Sequence, residues 1–446
     1  MNNKIPSKEE INNSFKYLLI SRIFRSIALN FATLAVPIYL IFIFNQNLLS
    51  VGIIYLIILG FNAFFSLFTG VISDKIGYKN GLLFSELFPL IGVFGFILST
   101  FIPINIILFI FFAMLTGISG VGGIRGAFSA PQMALIANNW PKNNDRIKRL
   151  GIIISIGSAA AIVGSFIIVL QGLLSSFFLS NMAVSQAQAT LLSFRYFFIL
   201  TDLMILISFF SIIFIKEAKH NKTKNKFLKK QSSPHVLKVM ASQIFSGLGI
   251  GLTFPILPVL IVEAYSLNAA QSSQVIGFIF GLGYVSTALA SLYISRKILK
   301  LKINTVFYAS LTRVLQGILV LLIGITLVFT GNHTFNIIGM FLILIFIISY
   351  NALLGLGGPI RQTSNVSGVS KGDYGAAVGM MSLSAQLPQA SVGLSGALSS
   401  VIASFISLPL FFGGFLISIS GAVYWKLLKD SKNNKTPKNS KNSNKQ

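Results

Sequence analysis

Asp202 is the one charged side chain in the apolar run 196–215, and a carboxyl group so placed has few chemical uses. Counted from the end of that predicted span near Leu191, it lies about 16 Å deep, too far in to reach water by snorkelling. It can carry a proton, because burial favours the neutral acid and a nearby guanidinium favours the carboxylate. The competing reading is a helix-packing group. Arg22 and Arg25 enter the first apolar run at depths of about 8 and 12 Å. Arg22 can snorkel, whereas Arg25 calls for a partner, and Glu86, at a similar depth in the third run, is the carboxylate to supply it. Arg313 sits about 13 Å into the ninth run and is the equivalent feature of the second half. A cation in hydrocarbon is matched by an acid of the protein or by an anionic solute. Among uncharged groups, Asn30, Asn62, Gln171, Asn351, Gln386 and Gln389 either line a cavity or join helices by hydrogen bonds.

Other chemistry is excluded by what is missing. The chain has no cysteine, which removes thiol nucleophiles, disulfides and thiolate metal sites. Its three histidines, His220, His235 and His333, fall in predicted loops, so neither an intramembrane histidine relay nor a metal cluster is expected. No phosphate-cradling P-loop occurs. The expectation is a protein that is not an enzyme, with no catalytic residues, no metal and no cofactor.

The elements that must position these groups are helices in lipid. The composition is 54% hydrophobic and 10% charged, with a mean hydropathy of +0.79, outside the range of ordinary soluble domains. Apolar runs long enough to cross a bilayer fall near 17–44, 50–72, 81–100, 104–127, 150–173, 191–215, 237–263, 274–295, 304–330, 335–358, 376–399 and 408–428. Lys and Arg cluster in alternate connections: around Lys75 and Lys79, Lys142 to Arg149, Lys216 to Lys238, Arg296 to Lys302, and Lys426 to Lys445. The intervening connections, 45–50, 100–105, 175–190, 265–273, 331–336 and 400–408, carry none. Basic loops stay in the cytoplasm, so twelve spans with both termini cytoplasmic are expected, in a multi-pass protein of the plasma membrane. The net charge of +25 is then a matter of topology and of anionic lipid at the basic loops rather than of nucleic acid. Arg125 and Arg361 fall at the cytoplasmic ends of the fourth and tenth spans, where anchoring is the simplest role.

The chain divides into a cytoplasmic segment 1–16, a six-helix bundle 17–215, a polar linker 216–236, a second bundle 237–428 and a basic tail 429–446, expected to be disordered. A shift of 221 residues places Pro37 on Pro258, Gly60 on Gly281, Lys75 on Arg296 and Lys79 on Lys300. Gly122-Gly123-Ile124-Arg125 is echoed by Gly357-Gly358-Pro359-Ile360-Arg361 at a larger offset. Two parallel repeats about an axis normal to the membrane, with a cavity between them, are the arrangement that such symmetry implies.

Between the second and third spans stands Gly70-Val-Ile-Ser-Asp74-Lys75-Ile-Gly77-Tyr78-Lys79. This resembles the loop signature G-x-x-x-D-[RK]-x-G-x-[RK] of the major facilitator superfamily, at the topological address where that family carries it. Glycines permit close approach and positive φ in a tight turn. Asp74 can meet a helix N-terminus or a cation of the other half, a contact that opening at the cytoplasmic side would break. The stretches beginning at Pro131 and Pro359 are similar to those of drug-efflux-like prokaryotic permeases. Two elements of the antiporter pattern are absent: the proline of a G-P-x-x-G-G stretch near 160–165, and R-x-x-Q-G after Arg125.

The resemblance implies an all-α fold of two pseudo-symmetric six-helix bundles, acting as a monomer. It implies secondary transport of a small organic solute by alternating access, with proton-coupled export of drug-like compounds through Asp202 as the leading version. Import or facilitated passage of a metabolite, conceivably anionic, is the alternative, and a non-transporting membrane sensor or scaffold is a third reading. The expected solute and proton pathway comprises Asp202, Arg25, Arg22, Glu86, Arg313, Asn30 and Gln386.

Overall fold

The computed structural model of the chain describes residues 6–102, 104–118, 128–182, 184–219, 233–297, 304–330, 337–370, 373–401 and 407–429. Among them there is no strand. The first half contains α1 (Lys8–Phe42), α2 (Leu48–Ile76), α3 (Tyr78–Phe101), α4 (Ile106–Thr116), α5 (Ser129–Asn139), α6 (Asn143–Asn181) and α7 (Gln186–Ile213). The second contains α8 (Ser233–Thr253), α9 (Leu257–Ala264), α10 (Ala269–Lys297), α11 (Thr305–Thr330), α12 (Ile337–Val366), α13 (Tyr374–Gln386), a 3-10 turn (Leu387–Ser391), α14 (Val392–Val401) and α15 (Leu408–Leu428).

Ten helical stretches among the described residues are long and apolar enough to cross a membrane, with Ser233–Ala264 counted as one. The other two expected crossings are interrupted. In the fourth, α4 stops at Thr116 because Gly117 turns left-handed at φ +70°, and the next described helix begins at Ser129. In the eleventh, Pro388 follows α13 and the chain tightens into the 3-10 turn before α14. The seventh is likewise parted between α8 and α9, where Pro255 and Pro258 each remove a backbone donor.

Several helices outrun their apolar runs at the end that carries the basic connections. α1 begins at Lys8 rather than near residue 17, on a capping box in which Ser7 Oγ accepts from Glu10 N at 3.1 Å and Ser7 N donates to Glu10 Oε2 at 2.6 Å. Likewise α6 starts at Asn143 and α12 continues to Val366. Hydropathy sets how much chain lies in lipid, whereas caps set where the helix ends.

Packing is duplicated between the halves. α1 lies against α6 and α7 as α8 lies against α13 and α15; α3 meets α7 as α11 meets α15; α3 meets α4 as α11 meets α12. Across the molecule α6 runs along α10, and α2 runs along α13 and α14. In span order these are the fifth with the eighth and the second with the eleventh, which a two-fold repeat exchanges. The fold is therefore two pseudo-symmetric six-span bundles. α1 and the α8–α9 stretch are the most enclosed, while α7 and α12 present most of their apolar surface outwards. Phe329 is 78% and Ile338 72% exposed, and a periphery so apolar belongs in lipid. The chain is a multi-pass membrane protein.

Candidate functional site

At the basic end, the start of α1, the α5–α6 turn, the end of α2 and the segment after α7 come together. Trp140 Nε1 donates to Asn12 Oδ1 at 3.0 Å, and Asn139 Nδ2 donates to Lys216 O at 3.1 Å. Here α2 delivers Asp74, buried in the structure, to the first turn of α13. Gly375 N donates to its Oδ1 at 3.0 Å, Ala376 N donates to Oδ2 at 2.6 Å, and Tyr78 Oη donates to Oδ1 at 2.9 Å. The first N–H groups of a helix have no partner within it, and the helix dipole is positive there, so a carboxylate is the fitting cap. The contact spans the two halves. Close approach requires glycine on both sides: a Cβ on Gly70 would stand 3.1 Å from Gly379 Cα, and one on Gly375 would stand 2.8 Å from Asp74 Oδ1. Gly77 has φ +100°, which a side chain would disfavour.

The remaining motif cations act locally. Lys79 Nζ donates to Ile213 O at 2.5 Å, and Lys75 is exposed. Glu217 is a residue that sequence reasoning missed. Its carboxylate accepts from Tyr78 N at 3.0 Å and Lys79 N at 2.9 Å, capping α3 from the segment after α7. The available signal was that it is the only acid in the basic stretch 216–236.

Further in, a cavity of about 170 Å³ lies between the bundles. Ser129, Met133 and Ile154 line it from the first half; Gln243, Ser246, Arg313, Arg361 and Gln386 are among those lining it from the second. Arg313 lies over the Tyr424 ring, 5.7 Å from its centroid, and Arg361 Nη1 donates to Thr312 Oγ1 at 3.3 Å. Two guanidinium groups thus reach one cavity whose described lining contains no carboxylate. A second chamber, about 20 Å³, is aromatic and lined by Tyr55, Phe254, Phe280, Tyr284 and Tyr350 with Thr33 and Asn351.

The other sequence-predicted residues lie elsewhere. Arg25 and Glu86 form a buried ion pair. Ser208 Oγ donates to Glu86 Oε1 at 2.5 Å, Ser21 and Ser208 are 2.9 Å apart, and the Arg25 guanidinium sits 4.3 Å from the Phe128 ring centroid. This cluster belongs to the interior of the first bundle, not to the cavity lining. Arg22 does not snorkel; it is 1% exposed, lying against Gly157 of α6, which leaves room for it. Asn30 Nδ2 donates to Ala161 O and Ser165 Oγ, both at 2.8 Å, and so joins α1 to α6. Asp202 is half-buried on the flank of α7, beside exposed Leu203 and Leu206, and lines neither cavity. Arg125 lies outside the described residues.

The halves also touch at the end opposite the basic one. Ser273 Oγ donates to Gln171 Oε1 at 2.8 Å, and a Cβ on Gly52 would stand 3.1 Å from Gly396 Cα. The two halves thus touch at both ends of the central space.

Comparison with known proteins agrees with this geometry. The family model described as Major Facilitator Superfamily matches residues 18–392. No curated protein matches the sequence significantly. Among solved structures, the E. coli fucose:proton symporter superposes with a TM-score of 0.65 at 14% identity, covering 93% of this chain and 98% of the symporter. A bacterial homologue of the iron transporter ferroportin, in an outward-facing state, gives 0.64 at 12% identity over 93% and 99%. The human organic anion transporter gives 0.60 at 14% identity over 94% and 100%. At such identities these likenesses establish the fold alone, but the family match spans most of the chain, and the Asp74 contact and the residues lining the cavity fall within it. The chain belongs to the Major Facilitator Superfamily, a family of transporters rather than enzymes.

Proposed function

We propose that the protein is a secondary transporter of a small organic anion, working by alternating access with Arg313 as the electrostatic anchor. The observation that carries this reading is the cavity between the bundles, which Arg313 and Arg361 both line. A solute of opposite charge lowers the cost of holding guanidinium groups away from water. Amide and hydroxyl groups of Gln243, Ser246 and Gln386 supply hydrogen bonds beside them. In the proposed orientation the basic end and both termini face the cytoplasm, the membrane is the plasma membrane, and the basic loops rest on anionic lipid. The Asp74 contact then closes the cytoplasmic side, and separating α2 from α13 opens it.

The test is flux into proteoliposomes of a panel of labelled carboxylates and organophosphates, with sugars and cationic dyes as contrasts. Anions are expected to be carried, and Arg313→Gln to lower kcat/KM roughly 10- to 150-fold, since a hydrogen bond to a charged group contributes about 1.5–3 kcal/mol. Carriage of neutral or cationic compounds alone, undiminished in Arg313→Gln, would refute the proposal.

Proton-coupled export of drug-like compounds is the second reading, and one observation favours it: Asp202 Oδ1 is buried with no hydrogen-bond partner among the described residues. An acid in that position can exchange a proton without disrupting a pair. If it couples transport, Asp202→Asn will abolish accumulation driven by an imposed pH gradient while solute exchange persists. Unchanged accumulation would remove Asp202 from the mechanism.

A further inference from the structure

Arg22 is a buried cation whose neighbouring acid is already committed. The two Glu86 oxygens are engaged by Arg25 and Ser208, and no ion pair joins Arg22 to an acid among the described residues. Two guanidinium groups against one carboxylate leave an excess of one positive charge in a buried place. That imbalance is unfavourable unless a counter-charge is brought in.

The groups beside Arg22 also lack acceptors. Among the described residues Arg22 Nε has no hydrogen-bond partner, and neither does Ser26 Oγ, one turn along α1. Both point to the same stretch of α6: a Cβ on Gly157 would stand 2.6 Å from Arg22 Nε and 3.2 Å from both Arg22 Nη2 and Ser26 Oγ. The adjacent Ser158 Oγ is likewise buried without a partner. Unpartnered donors beside an unbalanced cation suit an acceptor carrying negative charge. Water would satisfy the donors but not the charge, and a cation would satisfy neither.

We propose that Arg22 and Ser26, facing Gly157, form a site for a singly charged anion in the first bundle, separate from the Arg313 cavity. Its ligand is a halide or the carboxylate of a small solute, whose shared chemistry is one compact negative charge. Ile154, one helical turn before Ser158 on α6, lines the 170 Å³ cavity.

Binding is read without transport, and the Arg22 and Ser26 variants separate this site from the Arg313 cavity. The purified full chain is unfolded thermally in sodium sulfate, a dianion, with chloride or acetate substituted stepwise at constant ionic strength. Wild type is expected to show a saturable rise in midpoint, as a ligand confined to the folded state requires. Arg22→Gln is expected to lose that rise, and Ser26→Ala to need at least tenfold more anion for half of it. A response to chloride alone identifies an inorganic ion, and a response to acetate alone identifies the carboxylate of a solute. Should Arg22→Gln not fold, Ser26→Ala decides. No anion-dependent rise in wild type, or a rise in Ser26→Ala identical to wild type, overturns the proposal.

Discussion

Glu86→Ala is expected to destabilise the protein by about 3–5 kcal/mol, the cost of leaving a buried cation without its counter-charge. Arg25 and Glu86 are 1% and 0% exposed, so water cannot replace the lost carboxylate. Ser208 loses its acceptor in the same step, and the imbalance around Arg22 and Arg25 rises from one charge to two. The double variant Arg25→Met/Glu86→Met removes charge and counter-charge together. It should recover most of the loss, because apolar replacements of similar volume are often neutral or better. Denaturant unfolding of Arg25→Met, Glu86→Met and the double variant gives the coupling energy directly. A single Glu86→Ala cost below about 1 kcal/mol would mean that the pair is solvated and that its burial has been misjudged.

Asp74→Ala is expected to release the basic end. Two backbone N–H groups of α13 and one phenol donate to this carboxylate, and hydrogen bonds to charged groups contribute about 1.5–3 kcal/mol each. Water fills part of the gap once the helices part, so a net loss of about 2–4 kcal/mol is reasonable, or roughly a 30- to 800-fold shift in the balance between closed and open forms. The absence of native cysteine makes the readout simple. Met133→Cys, in the cavity wall, should react with an impermeant thiol reagent from the basic side at least tenfold faster when Asp74→Ala is added. An equal labelling rate would show that Asp74 does not hold this end closed. Asp74→Asn should fall between the two, since an amide oxygen still accepts one N–H without a charge.

Much of the fold was legible because lipid imposes a severe rule: a crossing segment must satisfy its own backbone hydrogen bonds. Apolar run length and the segregation of Lys and Arg therefore report crossings directly. Interruptions were legible in part. Pro255, Pro258 and Pro388 stand where the seventh and eleventh crossings are parted, whereas the stop at Gly117 carries no sign stronger than many helical glycines that the same bundles tolerate.

The site divides along a physical line. Depth in the membrane is a one-dimensional quantity, proportional to residue count at about 1.5 Å per residue, and it suggested the Arg25–Glu86 match from the chain alone. Azimuth is not, because the face a helix turns inward depends on which neighbours it meets. That is why Asp202, deep by count, stands on the lipid-side flank of α7, and why Arg22 lies in against Gly157 instead of reaching outward. Glu217 was hidden for a related reason, since a carboxylate capping backbone N–H groups leaves no oppositely charged residue to look for. The loop motif specified Asp74 by spacing, yet its partners Gly375 and Ala376 lie some 300 residues along the chain. The sequence by itself determined how often the chain crosses lipid and which charges lie within it. Only the packing of the bundles decided which of those charges meet each other, because a helix sets the height of each side chain and its neighbours set the direction.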